Sequence, residues 1–549
     1  MNVADHPSTS GHQARDPAVL GHHEAAGGRL ATLGAGALAG LVAALVMTVV
    51  MVLLRSTLGI SPPPEMIPDR IAPLMPIPLF FWLLGTVGGY NEAKQLGVGS
   101  ILAGQLVVGA LFGLLYATLV ERERAREPES RGLLGRPELV VALFVGLLWL
   151  VTVALVWPVL GTSYRGLPAG SAAIATALGL LLAYASYGVS LILAYRAIAG
   201  RAPSRLSGAA PRSTGRRALL VGGVGAILAL TSGGLLRRLY GLATFSYDGT
   251  RLNGPDVAPV TSNDDFYVVT KNVVDPSVDR GAWRFEVTGL VGRPQSYRFE
   301  DLATLPTVTQ ETTLMCISNG VGDGLMSNAV WKGVPLRNLL ETAGPRPGTL
   351  EVVLHGVDGY TDTIAWEKAM DPTTLVVYEM NGEPLSERHG YPVRMIVPGL
   401  VGEKNVKWIT RVELVDHDVK GFYEQQGWGP NFAIPIRTRI YGPDGGEPLR
   451  MGGAPIRVNG VALGADRGVS RVEISVDDGQ SWQDARLDYP GSRLTWALWS
   501  YDWRPTAPGE YRLVARATDG DGAQQIAEER GIAPETATGY HRLAVRVEA

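Results

Sequence analysis

Cys316 is the only cysteine among the 549 residues, and it ends an apolar run, Glu311–Cys316, that opens into a glycine-rich loop. A single cysteine excludes an intrachain disulfide, a Cys/His zinc cluster and an iron–sulfur site, because each of these needs several ligands. Two interpretations remain. Cys316 is either an inert thiol that packs as a small hydrophobic side chain, or a single thiolate with a special role, such as binding a transition metal.

The segment that contains Cys316 is predicted to be a mixed α+β domain over residues 248–435. Short strand patterns such as Trp283–Val287 and Leu350–Leu354 alternate with brief helical patterns such as Leu336–Thr342. Over residues 446–549 the pattern changes to alternating apolar and polar residues with turn signals between them. This alternation predicts an all-β, immunoglobulin-like sandwich.

Residues 29–240 are dominated by apolar runs that carry no charged side chain. Each run is close to the ~20 residues that cross a bilayer as a helix. We therefore predict an all-α membrane region with about five transmembrane helices: Leu33–Leu54, Gly97–Val120, Leu139–Leu160, Ser171–Ala194 and Ala218–Leu236. Three prolines interrupt Ile71–Tyr90, which suits an interfacial or re-entrant segment. The polar residues 1–28 are predicted to be disordered.

The distribution of arginine predicts the orientation of these helices. Residues 122–136 hold five arginines and residues 196–217 hold six, whereas the intervening loop 161–169 holds one. By the positive-inside rule both rich loops are cytoplasmic, so the part after the fifth helix lies on the extracytoplasmic side. Thr214–Leu220 has the form of a twin-arginine export signal, although ordinary anchoring charge explains the same residues.

A series of motifs around Cys316 resembles the molybdopterin-binding domain of the sulfite oxidase family. The resemblance extends from about Asp248 to the C-terminus and rests on the order and spacing of Asp265–Val268, Trp283–Pro294, Ser318–Gly324, Trp331–Leu340, Tyr378–Leu385, His389–Arg394, Val397–Gly399 and Val401–Trp408. It implies a molybdenum–molybdopterin cofactor, and a C-terminal dimerisation domain that makes a homodimer.

The resemblance also implies roles for individual residues. Cys316 falls on the position that binds molybdenum, and Lys404 falls on that of a substrate-pocket arginine, so both are predicted to be catalytic. The other cofactor-binding positions are Tyr267, Val268, Lys271 and Asn272 in an N-terminal loop, Asp358 at the pterin, and His389, Arg394, Asn405, Val406 and Lys407 at the cofactor phosphate.

The departures from the family pattern concern the substrate. Lys404 stands where sulfite oxidases have arginine, Val419 stands where they have the active-site tyrosine, and no arginine pair follows Asn319. A lysine cannot reproduce the planar, forked donor set with which arginine binds an oxyanion. We therefore expect a small oxo substrate that is either sulfite or a less charged compound such as a sulfoxide.

The electron source is predicted to be a separate protein. The chain has no histidine between His23 and His355 and no CxxCH motif, which excludes a bis-histidine haem in the membrane helices and a c-type haem. We expect a cytochrome or quinone-linked carrier, a membrane anchor or partner-docking role for the apolar half, and no nucleic-acid partner. The main hypothesis is a membrane-anchored, extracytoplasmic molybdopterin oxidoreductase that transfers oxygen atoms.

Two hypotheses from other classes stay open. A non-catalytic membrane receptor or scaffold could use a degenerate molybdopterin fold as a binding module, and the absent arginines favour it. Retention of Cys316 argues against it, since a scaffold needs no thiolate. A transporter with an appended domain is disfavoured because no charged residue lies inside the apolar runs.

Overall fold

The computed structural model describes residues 17–124, 135–199, 214–241, 257–443 and 446–549. The predicted start of the family resemblance near Asp248, and the arginines at 126, 131, 201, 205 and 212, lie outside these ranges. The chain separates into two compact units. The first contains the helical parts 1–53, 100–154 and 178–238, and the second contains 54–99, 155–177 and 239–549.

Within the described residues up to 241, the chain is helical. The α-helices are α1 Pro17–Leu58, α2 Pro63–Ile71, α3 Ile77–Val87, α4 Tyr90–Arg124, α5 Arg136–Leu155, α6 Ala169–Ala199 and α7 Thr214–Gly241. Four are long and apolar enough to cross a membrane, namely Leu30–Leu58 within α1, then α4, α5 and α6. The fifth predicted span falls in α7, where the described apolar stretch Gly222–Thr231 is shorter. Residues 17–28 are helical, whereas the sequence suggested disorder there.

In the first unit, small residues let α1 and α4 approach closely. Gly36 and Gly40 of α1 face the backbone of Gly113 and Gly109 of α4, and neither leaves space for a side chain. Close backbone contact of this kind is typical of helix packing in membranes, where van der Waals contact replaces the hydrophobic effect. The Tyr187 hydroxyl donates a hydrogen bond of 2.9 Å to the Gly109 carbonyl and ties α6 to this contact.

In the second unit, residues 285–415 form a mixed α+β domain, which confirms the predicted fold class. Its strands are β1 Phe285–Gly289, β2 Gln295–Tyr297, β3 Val308–Met315, β4 Met326–Pro335, β5 Glu351–Gly356, β6 Thr361–Ala365, β7 Leu375–Met380, β8 Glu383–Pro384, β9 Arg394–Ile396 and β10 Ile409–Val415. The short helices are α8 Phe299–Thr304, α9 Leu336–Ala343 and α10 Trp366–Ala369. One sheet has the order β2-β1-β10-β5-β6 and the other β3-β4-β7-β8, with β9 paired to β7.

These sheets fix the position of Cys316. Leu314 and Met315 at the end of β3 are fully buried in an apolar cluster with Trp331 of β4. Strand β3 pairs antiparallel with β4 along its whole length, ending with Met315 opposite Met326. Cys316 therefore follows a buried strand end whose register is fixed by its pairing with β4.

Residues 437–548 form two packed sheets, as the alternating pattern predicted. The strands are β11 Arg437–Gly442, β12 Leu449–Arg450, β13 Ile456–Leu463, β14 Val469–Ser475, β15 Gln483–Asp484, β16 Arg486–Tyr489, β17 Ala497–Trp503, β18 Gly509–Asp519 and β19 His541–Glu548. The sheet orders are β11-β13-β17-β16 and β12-β19-β18-β14-β15. Trp499 from one sheet and Leu513 from the other share a buried cluster, which is the arrangement of a β-sandwich.

Candidate functional site

Cys316 lines a cavity of about 550 Å³ in the second unit. The structure brings most of the predicted site residues into this cavity, namely Tyr267, Val268, Lys271, Cys316, Asp358, His389, Arg394, Asn405, Val406 and Lys407. Asn272 and Lys404 are buried nearby in the fold but do not line the cavity. Positions that are up to 140 residues apart in sequence thus converge on one site.

The thiol of Cys316 is buried and held in place. Its backbone N–H donates to the Leu325 carbonyl at 2.9 Å, and its Sγ lies 3.1 Å from the Ser318 hydroxyl. Burial raises the pKa of the Cys316 thiol, with the Ser318 hydrogen bond acting in the opposite direction. A metal cation favours the thiolate electrostatically, so this cysteine suits ligation better than free nucleophilic chemistry.

One wall of the cavity carries two cations, the buried Arg394 and the half-buried Lys407. The Arg394 guanidinium donates at 3.2 Å to the His389 carbonyl and at 3.2 Å to the Asn405 carbonyl, and its Nε has no hydrogen-bond partner among the described residues. The Lys407 ammonium donates to the Arg388 carbonyl at 3.1 Å. Within the described ranges neither cation forms a direct ion pair with a carboxylate, although the charges of Asp275 and Asp358 act on Lys407 from a greater distance.

The protonation states of this wall follow from burial. Burial lowers the pKa of His389 to about 4, so its ring is neutral at pH 7, and Nε2–H donates to the Asn263 carbonyl at 2.8 Å. Burial also lowers the pKa of Lys407 to about 8 and that of Arg394 to about 10, and both remain cationic at pH 7. The buried Arg394 guanidinium has no carboxylate paired with it in the described part of the chain, which favours an anionic ligand. A phosphate group fits this wall.

A second group of predicted residues is joined by polar contacts to Asp358. The Asn272 side-chain amide donates to Asp358 Oδ2 at 2.8 Å, and the Lys271 ammonium donates to the Asp358 carbonyl at 3.0 Å. Asn272 does not line the cavity but orients Asp358, which does.

The structure changes the expectation for Lys404. Its ammonium is 3% exposed and lies 2.6 Å from Asp362 Oδ1 and 3.7 Å from Glu424 Oε2. Burial alone would lower the pKa of Lys404, but the charge and hydrogen bond of Asp362, together with the charges of Glu424 and Glu403, outweigh it and raise the pKa. The charge of Lys404 is therefore neutralised inside the protein. Val419 also lies outside the cavity, where its backbone N–H donates to Glu351 at 3.0 Å.

The cavity has a wall that the sequence did not predict. We call residues 59–99, which hold α2, α3 and the first turns of α4, the connecting segment. Phe80, Phe81, Leu84 and Tyr90 from this segment line the cavity together with Cys316. The Phe81 ring packs edge-on against Trp428 at 5.9 Å between centroids.

Polar contacts hold the connecting segment against the loop Tyr267–Asn272, which we call the cofactor loop. The Lys94 ammonium donates to the carbonyls of Thr270 at 2.6 Å and Asn272 at 2.9 Å. The Asp69 carboxylate lies 2.7 Å from the Lys271 ammonium, and Tyr90 forms a hydrogen bond with Tyr423. Asp69 and Lys94, the charges that flank this proline-rich apolar stretch, were the signal in the sequence that could have indicated such contacts.

Glu403 is a further residue of the cavity that sequence reasoning missed. It lines the cavity from the 3₁₀ helix Gly402–Lys404. Neither carboxyl oxygen has a hydrogen-bond partner among the described residues, and both are shielded from solvent. Burial, followed by the charge of Asp362, raises the pKa of Glu403 well above its ordinary value. The sequence signal was its place directly before Lys404.

Comparisons with known proteins agree with this geometry. Residues 272–423 match the oxidoreductase molybdopterin binding domain, and residues 430–548 match the Mo-co oxidoreductase dimerisation domain. The chain is similar to mitochondrial sulfite oxidase of Rattus norvegicus, with 31% identity over 52% of this chain and 62% of the relative. It is also similar to inducible nitrate reductase [NADH] 2 of Glycine max, with 32% identity over 40% of this chain and 32% of the relative.

A solved structure, the sulfane dehydrogenase of Paracoccus pantotrophus, is similar with a TM-score of 0.48 and 24% identity, over 54% of this chain and 85% of that one. The chain spans less than two thirds of the length of the sulfite oxidases that it matches, with 62% of the rat protein covered.

Proposed function

We propose that this chain, which belongs to the sulfite oxidase family of molybdenum oxidoreductases, is a membrane-anchored enzyme that transfers an oxygen atom to or from a small, weakly charged oxo compound. The family implies a molybdenum–molybdopterin cofactor, and the dimerisation domain supports a homodimer. The substrate, the electron partner and the orientation in the membrane are proposals, argued below from the residues of the cavity.

The observation that carries the proposal is that one buried thiol and two cations without a direct carboxylate partner among the described residues line a single cavity. Cys316 would bind the metal, and Arg394 and Lys407 would hold the phosphate of the cofactor, with Asp358 at the pterin. The bound cofactor supplies two-electron chemistry at the metal, and the protein orients it and excludes water. A degenerate binding module has no need to keep a buried thiol and these two cations together.

The side of the cavity formed by the connecting segment supports a neutral substrate. Phe80, Phe81 and Leu84 give it an apolar part, and Tyr90, Asn91 and Glu92 add polar groups but no positive charge. The charge of Lys404 is taken up by Asp362. A dianion such as sulfite would lose its hydration there without gaining fixed positive donors, which is costly. A sulfoxide keeps a polar S–O bond but carries no net charge, so it suits this wall better.

The two ends of α4 support an extracytoplasmic site. Lys94 near its start is bonded to the cofactor loop, whereas Arg122 and Arg124 lie in its last turn. By the positive-inside rule the arginine end faces the cytoplasm, which places the Lys94 end on the opposite side. Electrons would then be exchanged with a separate carrier on the extracytoplasmic side of the membrane.

Steady-state kinetics of the purified full chain in detergent test the proposal. The protein is assayed for reduction of an aryl methyl sulfoxide with a reduced viologen, and for oxidation of sulfite with ferricyanide. We expect molybdenum-dependent sulfoxide reduction with the larger kcat/KM. A molybdenum-loaded protein that turns over sulfite efficiently and leaves the sulfoxide unchanged would overturn the proposed substrate class.

A further inference from the structure

Glu403 stands apart from its neighbours because no described residue donates a hydrogen bond to its carboxyl group, although the charge of Lys404 favours its ionised form. Its two carboxyl oxygens are shielded from solvent and accept no hydrogen bond from a described residue. The residue nevertheless lines the same cavity as Cys316 and Tyr90. A carboxyl group in such a place either keeps its proton or carries an unsolvated charge, and the first is far less costly.

The charges around Glu403 favour the neutral form. The single ammonium of Lys404 interacts electrostatically with three carboxyl groups, those of Asp362, Glu403 and Glu424. Lys404 lies 2.6 Å from Asp362 and 3.7 Å from Glu424. If all three carboxyl groups were ionised, the group would hold a net charge of minus two inside the protein, so one of the three is expected to be protonated.

The hydrogen bonds decide which carboxyl keeps the proton. Asp362 accepts from the Tyr360 hydroxyl at 2.8 Å and from the Thr363 N–H at 2.8 Å. Glu424 accepts from the Gly421 N–H at 2.7 Å. These hydrogen bonds favour a proton on the third carboxyl, that of Glu403. Glu403 has no such donor among the described residues, and it alone of the three lines the cavity.

We propose that Glu403 is a neutral carboxylic acid that donates a proton to the departing oxygen of the substrate. The inference rests on the proposed function. In the reduction of a sulfoxide by two electrons from the external carrier, the S–O bond breaks, the sulfur keeps the electron pair, and the oxygen leaves as water with two protons. Glu403 supplies the first proton and recovers it from solvent, and the second proton comes from solvent. A neutral acid also places no negative charge beside the substrate.

Two variants of the full-length enzyme test the donor role. Glu403→Gln keeps the size and the hydrogen-bonding capacity of the side chain but cannot transfer a proton, and Glu403→Asp restores an acid. Glu367→Gln, an exposed carboxyl on α10, is the matched control. We expect Glu403→Gln to lower kcat for the sulfoxide by about 10²-fold, as loss of a general acid does, with unchanged molybdenum content. Glu403→Asp should recover part of the rate, and the control should match the parent enzyme.

The pH profile separates a proton donor from a structural residue. In the parent enzyme, kcat should fall as the pH rises through the pKa of Glu403, because the acid form is lost. In Glu403→Gln this alkaline limb should disappear while the Glu367→Gln profile keeps it. A Glu403→Gln enzyme that keeps the parent kcat and the parent alkaline limb would overturn the donor role.

A readout without turnover keeps the two proposals distinguishable. Infrared difference spectra between the parent protein and Glu403→Gln should show the C=O stretch of one protonated carboxyl at neutral pH. If that band is absent, Glu403 is ionised and the inference is wrong, whatever the substrate. If the band is present but a molybdenum-loaded parent enzyme does not reduce the sulfoxide, the proposed function fails, and the donor role fails with it.

Discussion

Asp69 of the connecting segment and Lys271 of the cofactor loop form an ion pair of 2.7 Å across 202 residues of sequence. The Lys271 side chain is 7% exposed, and its second carboxylate, that of Asp358, is 3.9 Å away. Burial alone would lower the pKa of Lys271, but Asp69 and Asp358 outweigh it and raise the pKa. The residues that precede α4 are therefore part of the site that holds the cofactor loop.

Removing one partner of this pair should destabilise the site. In Asp69→Asn the Lys271 cation loses its nearest carboxylate, and breaking a buried pair typically costs about 3–5 kcal/mol. We expect a lower midpoint of thermal unfolding and faster loss of molybdenum on warming. The exposed pair Arg280–Glu300 gives the control, since Glu300→Gln should change neither property. If Asp69→Asn behaves like Glu300→Gln, the contact between the connecting segment and the cofactor loop does not contribute to stability or to molybdenum retention.

Some features of the molecule could be predicted from the sequence and others could not, and the reasons are physical. The membrane helices, the α+β domain and the sandwich follow from hydrophobic patterns, which depend on each segment alone. Cys316, His389, Arg394 and Lys407 were predicted because their order and spacing resemble a family pattern, and the structure brings them to one cavity. The pairing of Asp69 with Lys271 depends on tertiary contact across 202 residues, and no local pattern encodes it.

The same dependence on tertiary contacts explains why the surroundings of Lys404 could not be predicted from the sequence. Its alignment with a substrate-pocket arginine predicted a cation facing the substrate, but Asp362 and Glu424 enclose its ammonium. Whether a lysine faces a cavity depends on the carboxylates near it in space. Those carboxylates lie 42 residues before Lys404 and 20 residues after it, so its sequence neighbours gave no indication.

Arg394→Lys should weaken retention of the cofactor. Lysine keeps the charge but loses the planar fork and the Nε that has no partner among the described residues. Loss of one charge-assisted hydrogen bond is worth about 1.5–3 kcal/mol, on the order of tenfold or more in affinity. Molybdenum and pterin per chain after dialysis measure the effect, with the exposed Arg346→Lys as control. Equal retention in the two variants would argue against Arg394 as a phosphate ligand.

Lys404→Arg should not create a sulfite oxidase. Asp362 would pair with the guanidinium as it pairs with the ammonium, so no positive charge would be added to the cavity. We expect kcat/KM for sulfite to stay low in Lys404→Arg and in Lys404→Arg with Val419→Tyr, because Val419 does not line the cavity. A large gain in sulfite turnover by either variant would show that Lys404 or Val419 reaches the substrate.

Protease protection should report the orientation of the membrane region. With the arginine-rich loops in the cytoplasm, a tag after Ala549 should be cleaved in intact spheroplasts, and a tag inserted within residues 125–134 should be protected until the membrane is permeabilised. The reverse pattern would place the cavity in the cytoplasm and contradict the proposed localisation.

The most direct measurement is X-ray absorption at the molybdenum edge of the full-length protein and of Cys316→Ser. Arg394 and Lys407 do not depend on the thiol, so we expect the variant to retain pterin but to lose one sulfur ligand from the metal and all measurable turnover. Ser318→Ala, which removes only the hydroxyl 3.1 Å from Sγ, should keep the sulfur ligand. An unchanged sulfur shell and unchanged turnover in Cys316→Ser would contradict the account that Cys316 is the protein ligand of a molybdenum cofactor.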